Sequence, residues 1–282
     1  GFTNAYGTVP GTGSVLGVSV AAEINDGILA CRTPSSGNNY VHRWNNATSA
    51  WVAITTSGSP TMTGVARVRF TNFNFTSSKT ALTDGINPAA IYDGTTYTPI
   101  THAQAPAAPS YAAGFKNHMF LAGDSANKNK LFFSAPLLES DFAPGNGAGV
   151  IQVGFDIVAI KPFRDTLYIF GQTEIKRLQG TSSADFVLES VTHELGCIAP
   201  DSVVEIGGDL IFLSQDGFRP VSGTNRIGDV ELETISKDIQ SLFPDIIRDS
   251  NLAALTAVVV RQKSQFRVLF AEASSTGIIA GL

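Results

Sequence analysis

Four histidines, His42, His102, His118 and His193, are the side chains best suited to acid–base or metal chemistry, and they stand far apart in sequence. His193-Glu194 lacks the second histidine of H-E-x-x-H, so no zinc-protease helix is written here. Asp124-Ser-Ala-Asn127-Lys-Asn129 offers oxygen ligands in quick succession but misses the D-x-[DN]-x-[DN]-G spacing of a calcium loop, and reads as a solvated turn. Gly11-Thr12-Gly13 with Gly17 is not G-x-G-x-x-G. The glycines at 145, 147 and 149 precede a strand-like run, so no helix dipole points at a phosphate. Neither G-K-[ST] nor G-x-S-x-G occurs.

Carboxylates are the remaining source of chemistry. Asp93, Asp124, Asp165, Asp209 and Asp216 all lie in or beside turn-like stretches, where Asp is favoured for its own backbone hydrogen bonds. No acid/base pair of known separation follows from them. Ser214-Gln215-Asp216-Gly217 shares only part of the Asp-box turn of sialidase-type propellers. The expectation is therefore no catalytic, cofactor-binding or metal-ligating residue. Tyr40, Trp44 and Trp51 are candidate sugar-stacking residues, because both tryptophans share one hairpin. Cross-strand packing inside a sheet is the competing reading of the same pair. Asn46-Ala-Thr48 and Asn74-Phe-Thr76 fit the N-glycosylation pattern, which short sequences meet by chance. Cys31 and Cys197 form no metal or disulfide motif and read as small buried apolar residues.

The elements that must position these residues are strands. Only 15% of the 282 residues are charged, against a usual share of about 25%, and the 27 glycines and 13 prolines mark a turn-rich β protein. A net charge of −5 argues against a protein that grips nucleic-acid phosphates. No run reaches the ~18 apolar residues of a membrane helix, and the first residues carry no signal-peptide pattern. The chain reads as a segment of a longer polypeptide.

A unit of polar turn, apolar strand, small residue and second strand recurs every ~40–55 residues, the period of propeller-type repeats. Leu167–Phe170 and Leu210–Leu213 are apolar on both faces and must be covered on both sides. The strands around residues 66–70 and 266–268 alternate, as half-exposed strands do. The expected fold is thus all-β and β-propeller-like, with about six blades of short antiparallel strands in a single domain over 1–282. Blade-like units are placed at 17–56, 65–102, 110–148, 150–196, 198–236 and 255–282, the last incomplete. Asp93-Gly94 and Asn45-Asn46 are candidate tight turns. One helical insertion is expected near 236–255, where Ile239, Leu242, Phe243, Ile246 and Ile247 share a helical face, Ser236 or Asp238 can cap, and Pro244 would kink or divide it.

The segments NPAAIYDGTTYTPIT (87–101), FKNHMFLAGDSANKNKLFFSAP (115–136) and IGGDLIFLSQDGFRPVS (206–222), followed by the I-S-K-D-I helix and basic-flanked strand of 235–270, carry a family resemblance. Their order is similar to that of the tail nozzle proteins of short-tailed bacteriophages, also called tail-stabilisation or tail tubular B proteins. The resemblance covers roughly 60–270, and its motifs are structural. It implies a virion component assembled in the bacterial host cytoplasm as a homo-oligomeric ring, usually a hexamer. Its partners would be the portal adaptor and tail fibre or plug proteins, with DNA passing through the channel unbound. It implies no enzymatic activity and no cofactor. A glycan-binding propeller using Tyr40, Trp44 and Trp51 is the alternative, and a propeller glycoside hydrolase the third reading.

Overall fold

A computed structural model describes residues 6–21, 24, 27–34, 40–57, 66–224, 243–263, 265–270 and 280–281. The chain divides into two compact units, Gly1–Gln152 and Val153–Leu282.

The first unit holds three sheets. The first runs β1 (Thr12–Ala21), β2 (Gly27–Thr33), β3 (Val41–Asn45) and β4 (Ala50–Ala53) in simple meander order. The second contains β5 (Thr55–Thr56), β6 (Arg69–Asn74), β7 (Ser78–Thr83), β8 (Ala90–Tyr92) and β9 (Thr96–Pro99), ordered β5-β9-β8-β7-β6. The third is β10 (Tyr111–Phe115), β11 (His118–Ala122), β12 (Lys130–Phe133) and β13 (Gly149–Gln152). The second unit holds a fourth sheet of β14 (Ala159–Phe163), β15 (Thr166–Phe170), β16 (Ile175–Gln179) and β17 (Val187–Thr192). A fifth follows with β18 (Val204–Ile206), β19 (Asp209–Ser214) and β20 (Gly217–Pro220), and a sixth with β21 (Thr256–Val260), β22 (Gln265–Phe270) and β23 (Ala280–Gly281). Five sheets are wholly antiparallel; the second has one parallel pair, β5 with β9.

Alternation along the strands explains why the sheets stack. In the second sheet, Leu82, Ala90 and Tyr92 join Leu29, Cys31 and Val41 of the first sheet in one core. Their neighbours Ala81 and Ile91 point the other way and pack with Met119, Leu121 and Phe132 of the third. The fifth sheet does the same. Leu210 and Phe212 pack with Tyr168 and Phe170, while Ile211 and Leu213 pack with Phe218, Phe243 and Val268. Burying one such side chain fully is worth roughly 1.5–3 kcal/mol, so a sheet with two apolar faces gains stability only between two neighbours.

Edge strands of neighbouring sheets lie side by side, β1 by β6 by β10 in the first unit and β18 by β21 in the second. The Asn72 side chain donates to the Val20 carbonyl at 2.8 Å, and the Thr71 hydroxyl to that of Ala112 at 2.9 Å. Gly17 permits the approach, since a Cβ there would stand 2.3 Å from the Val68 carbonyl oxygen. Stacked antiparallel meanders with adjoining inner strands are propeller blades, and the all-β, propeller-like class is the one the chain adopts.

Details differ from the sequence reading. Residues 149–152 pair with β12, so the third blade runs past 148 and takes the residues assigned to the start of the next. Thr55 and Thr56 leave the first blade to pair with β9 of the second. The Asp93 N–H donates to the Thr96 carbonyl, centring that hairpin on Gly94-Thr95, one residue later than expected. The β3–β4 turn is longer than two residues, with Asn45 Oδ1 accepting from the N–H groups of Ala47 and Thr48. A short helix α1 (Val221–Thr224) follows β20, and α2 (Phe243–Asp249) falls inside the expected insertion. Pro244 sits in the first turn of α2, where its missing N–H costs nothing, and does not kink it. Ser236, Asp238, Ile239 and Leu242 lie outside the described residues. No helix among the described residues is long and apolar enough to cross a membrane.

Candidate functional site

The aromatic hairpin is closed by a ring-on-ring contact. Trp44 and Trp51 are directly paired across β3 and β4, their centroids 5.4 Å apart and planes at 74°. Tyr6 packs on Trp44 from another side at 5.0 Å and 89°. Trp44 is only 6% exposed, and the Trp51 indole N–H donates to the Gly7 carbonyl at 2.7 Å. Tyr40 belongs to the core between the first and second sheets. The three residues therefore do not form an open stacking platform: two are core residues, and the third holds residues 6–7 against the hairpin.

The Tyr40 hydroxyl reaches Oδ2 of Asp84 at 3.4 Å. Oδ1 of this buried carboxylate accepts from the N–H groups of Ile86 (2.9 Å) and Asn87 (2.7 Å), and Oδ2 from the Asn87 side chain (2.6 Å). Burial raises the pKa of the Tyr40 hydroxyl, so it remains a neutral donor. One blade later the same turn returns. Asp124 Oδ1 accepts from the Ala126 N–H at 3.1 Å and Oδ2 from the Asn127 side chain at 3.1 Å. Asn127 Oδ1 in turn accepts from Lys130 Nζ at 2.8 Å. These oxygens are occupied in closing a turn, and no metal-ligating group of three or more side chains occurs among the described residues. The D-x-x-N pair at 84–87 and 124–127, joining second to third strand in successive blades, was legible in the sequence as a repeat at constant offset.

Asp93 and Asp216 also serve turns, while Asp209 on β19 holds the start of α1. Asp93 Oδ1 accepts from the Thr95 and Thr96 N–H groups, both at 2.8 Å. Asp209 accepts from Ser222, and Asp216 from Arg219 Nε at 2.9 Å. Cys31 and Cys197 are free and fully buried, and burial pushes the Cys197 thiol up to about 11, leaving it an inert thiol. His42 is buried, and desolvation lowers its pKa, so it stays neutral. His118 Nδ1 lies 2.6 Å from the Ser134 carbonyl inside the third blade.

His193 is different. Its Nε2 is 2.9 Å from the Ser190 hydroxyl, and its Nδ1 is 3.4 Å from Glu174 Oε2. Ser190 lies on β17, His193 just past its end, and Glu174 in the turn between β15 and β16. Sequence inspection weighs His193 only against Glu194, because the contact to Glu174 exists only once β16 and β17 have paired.

No family model and no curated protein sequence matches the chain. Among solved structures, it is similar to the computationally designed protein Ika8, with 7% identity over 95% of this chain and 74% of the other and a TM-score of 0.46. It is also similar to BBS1N in a complex with ARL6DN (11% identity, 88% and 72% covered, TM-score 0.48). A third is YCF48 bound to D1 peptide (11% identity, 97% and 83% covered, TM-score 0.47).

Proposed function

We propose that this protein is a structural virion component, a tail nozzle subunit of a short-tailed bacteriophage that assembles with copies of itself into a ring around a DNA-ejection channel. The reading rests on the resemblance over 60–270, and one structural observation supports it. Each four-stranded blade ends on an outer strand that presents a valine to solvent: Val52 on β4, Val150 on β13 and Val187 on β17, at 36%, 47% and 54% exposure. Outer strands with an apolar side chain and an unpaired backbone edge suit contact with another chain. In this reading the hydrogen-bonded turn acids serve rigidity, and the ring meets an adaptor and a fibre or plug protein at its two ends.

The test is mass spectrometry of purified source particles, with Val150→Lys and Val187→Lys chains examined in parallel. Peptides of this chain in stoichiometric amount, and loss of incorporation by a folded double variant, are expected. Absence of the chain from particles overturns the proposal.

A further inference from the structure

We propose that Ser190, His193 and Glu174 form a surface acyl-transfer site, with Ser190 as nucleophile, His193 as general base and Glu174 as the positioning carboxylate. The resemblance to nozzle proteins implies no enzymatic activity; this site is read from geometry alone and does not depend on the assembly role. A nucleophile hydrogen-bonded to a base that is itself held by a third group is the arrangement that activates serine, whatever the fold that carries it. The Nε2–Oγ distance of 2.9 Å is within reach for proton transfer, and the two contacts use opposite nitrogens of the ring, as the chemistry requires.

The scaffold beneath the three residues is built for this approach. Ile175 pairs with Thr192 and Lys176 with Ser190, so Val191 is an extra, buried residue in β17. A bulge of this kind bends its strand and re-aims the flanking side chains, here Ser190 toward the residue that follows the strand. The loop after β17 is pinned to the turn before β16. The Cys197 N–H donates to the Gly171 carbonyl at 2.8 Å, and the Gly171 N–H to that of Glu174 at 2.8 Å. Gly196 permits this contact, because a Cβ there would stand 2.3 Å from the Gly171 oxygen and the Gln172 carbonyl carbon. The Thr192 hydroxyl accepts from the Glu194 N–H at 3.3 Å and shapes the bend that carries His193.

The side chains face solvent, His193 at 70% and Glu174 at 32% exposure. The exposed Ser190 hydroxyl and His193 ring at the end of β17 admit an ester, and water competes for each hydrogen bond, so the site suits carboxylic esters with a good leaving group, such as aryl esters. In acylation the Ser190 oxygen attacks the carbonyl carbon while His193 Nε2 takes its proton. The C–O bond to the leaving alcohol then breaks, and the proton passes to that oxygen. Water repeats the sequence on the acyl-serine, releasing the carboxylic acid and restoring the serine.

The test treats the folded 282-residue chain with a fluorophosphonate probe and with 4-nitrophenyl acetate, and maps adducts by peptide mass spectrometry. The expected result is phosphonylation at Ser190, absent in Ser190→Ala and about a hundredfold slower in His193→Ala. Glu174→Gln should slow it by about tenfold and Glu174→Asp, which keeps the carboxylate, should restore part of the rate, a rescue that a merely structural role would not give. No adduct at Ser190, or a rate unchanged by His193→Ala in a chain with wild-type melting behaviour, overturns the proposal.

Discussion

Trp44 and Trp51 face each other across β3 and β4 with ring centroids 5.4 Å apart, and Trp44 is sealed beneath Tyr6. This pair is a packing unit, and its energetics should show it. Trp44→Ala should cost about 3 kcal/mol in chemical denaturation, as other buried aromatic truncations do. Trp51→Ala should cost about 1 kcal/mol for its part of the aromatic contact. Neither change should alter retention on immobilised glycans; a loss of sugar affinity with stability unchanged would restore the platform reading.

Asp84 and Asp124 close equivalent turns in successive blades, and Asp84 alone also receives a tyrosine hydroxyl. Removing a buried acceptor leaves its donors unsatisfied, so Asp84→Ala should cost about 2 kcal/mol and Asp124→Ala about 1 kcal/mol. Because the oxygens of Asp124 already serve the turn, added calcium or a chelator should leave the melting temperature of the chain unchanged. A calcium-dependent rise that disappears in Asp124→Ala would contradict this.

What the sequence made legible was the burial problem. Leu167–Phe170 and Leu210–Leu213 are apolar at every position, and a strand of that kind has to be covered twice; in the fifth sheet Leu210 and Phe212 enter one core and Ile211 and Leu213 another. Blade edges were less legible, because Thr55-Thr56 and residues 149–152 are short pieces whose assignment depends on which strand they meet after the chain turns. Asp93-Gly94 announced a hairpin but not its centre, since the Asp93 carboxylate holds Thr95 and Thr96 and moves the turn forward by one residue. The Ser190–His193–Glu174 group was hidden for a different reason. Glu174 and His193 belong to separate connections, which the close approach at Gly196 and the Cys197–Gly171 hydrogen bond bring together.

That contact gives a further prediction. A side chain at 196 would collide with backbone atoms of Gly171 and Gln172, which cannot move aside as a flexible side chain would. Gly196→Ala should therefore destabilise the chain by about 2 kcal/mol, measured by urea denaturation. A neutral result would mean that the two connections are not in contact.

Acid sensitivity should be partly traceable to Asp216. Hydrogen bonding from Arg219 holds its carboxyl below the usual range, against the desolvation that pushes it up. A carboxylate depressed in the folded state stabilises above its unfolded value of about 3.9, and that stabilisation is lost as pH falls through the folded pKa. Asp216→Asn should cost about 1 kcal/mol at neutral pH, since the Asp216 side chain is 43% exposed, and should flatten the fall in melting temperature below about pH 4. An unchanged acid limb would show that other carboxylates dominate it.

The most direct measurement of the proposed role is electron microscopy of the protein and of its source particle, classified by rotational symmetry. Rings with a central hole, six-fold in the expected hexamer, and matching density at the tip of a short viral tail are expected. Isolated monomers that form no ring and are absent from the tail would contradict it.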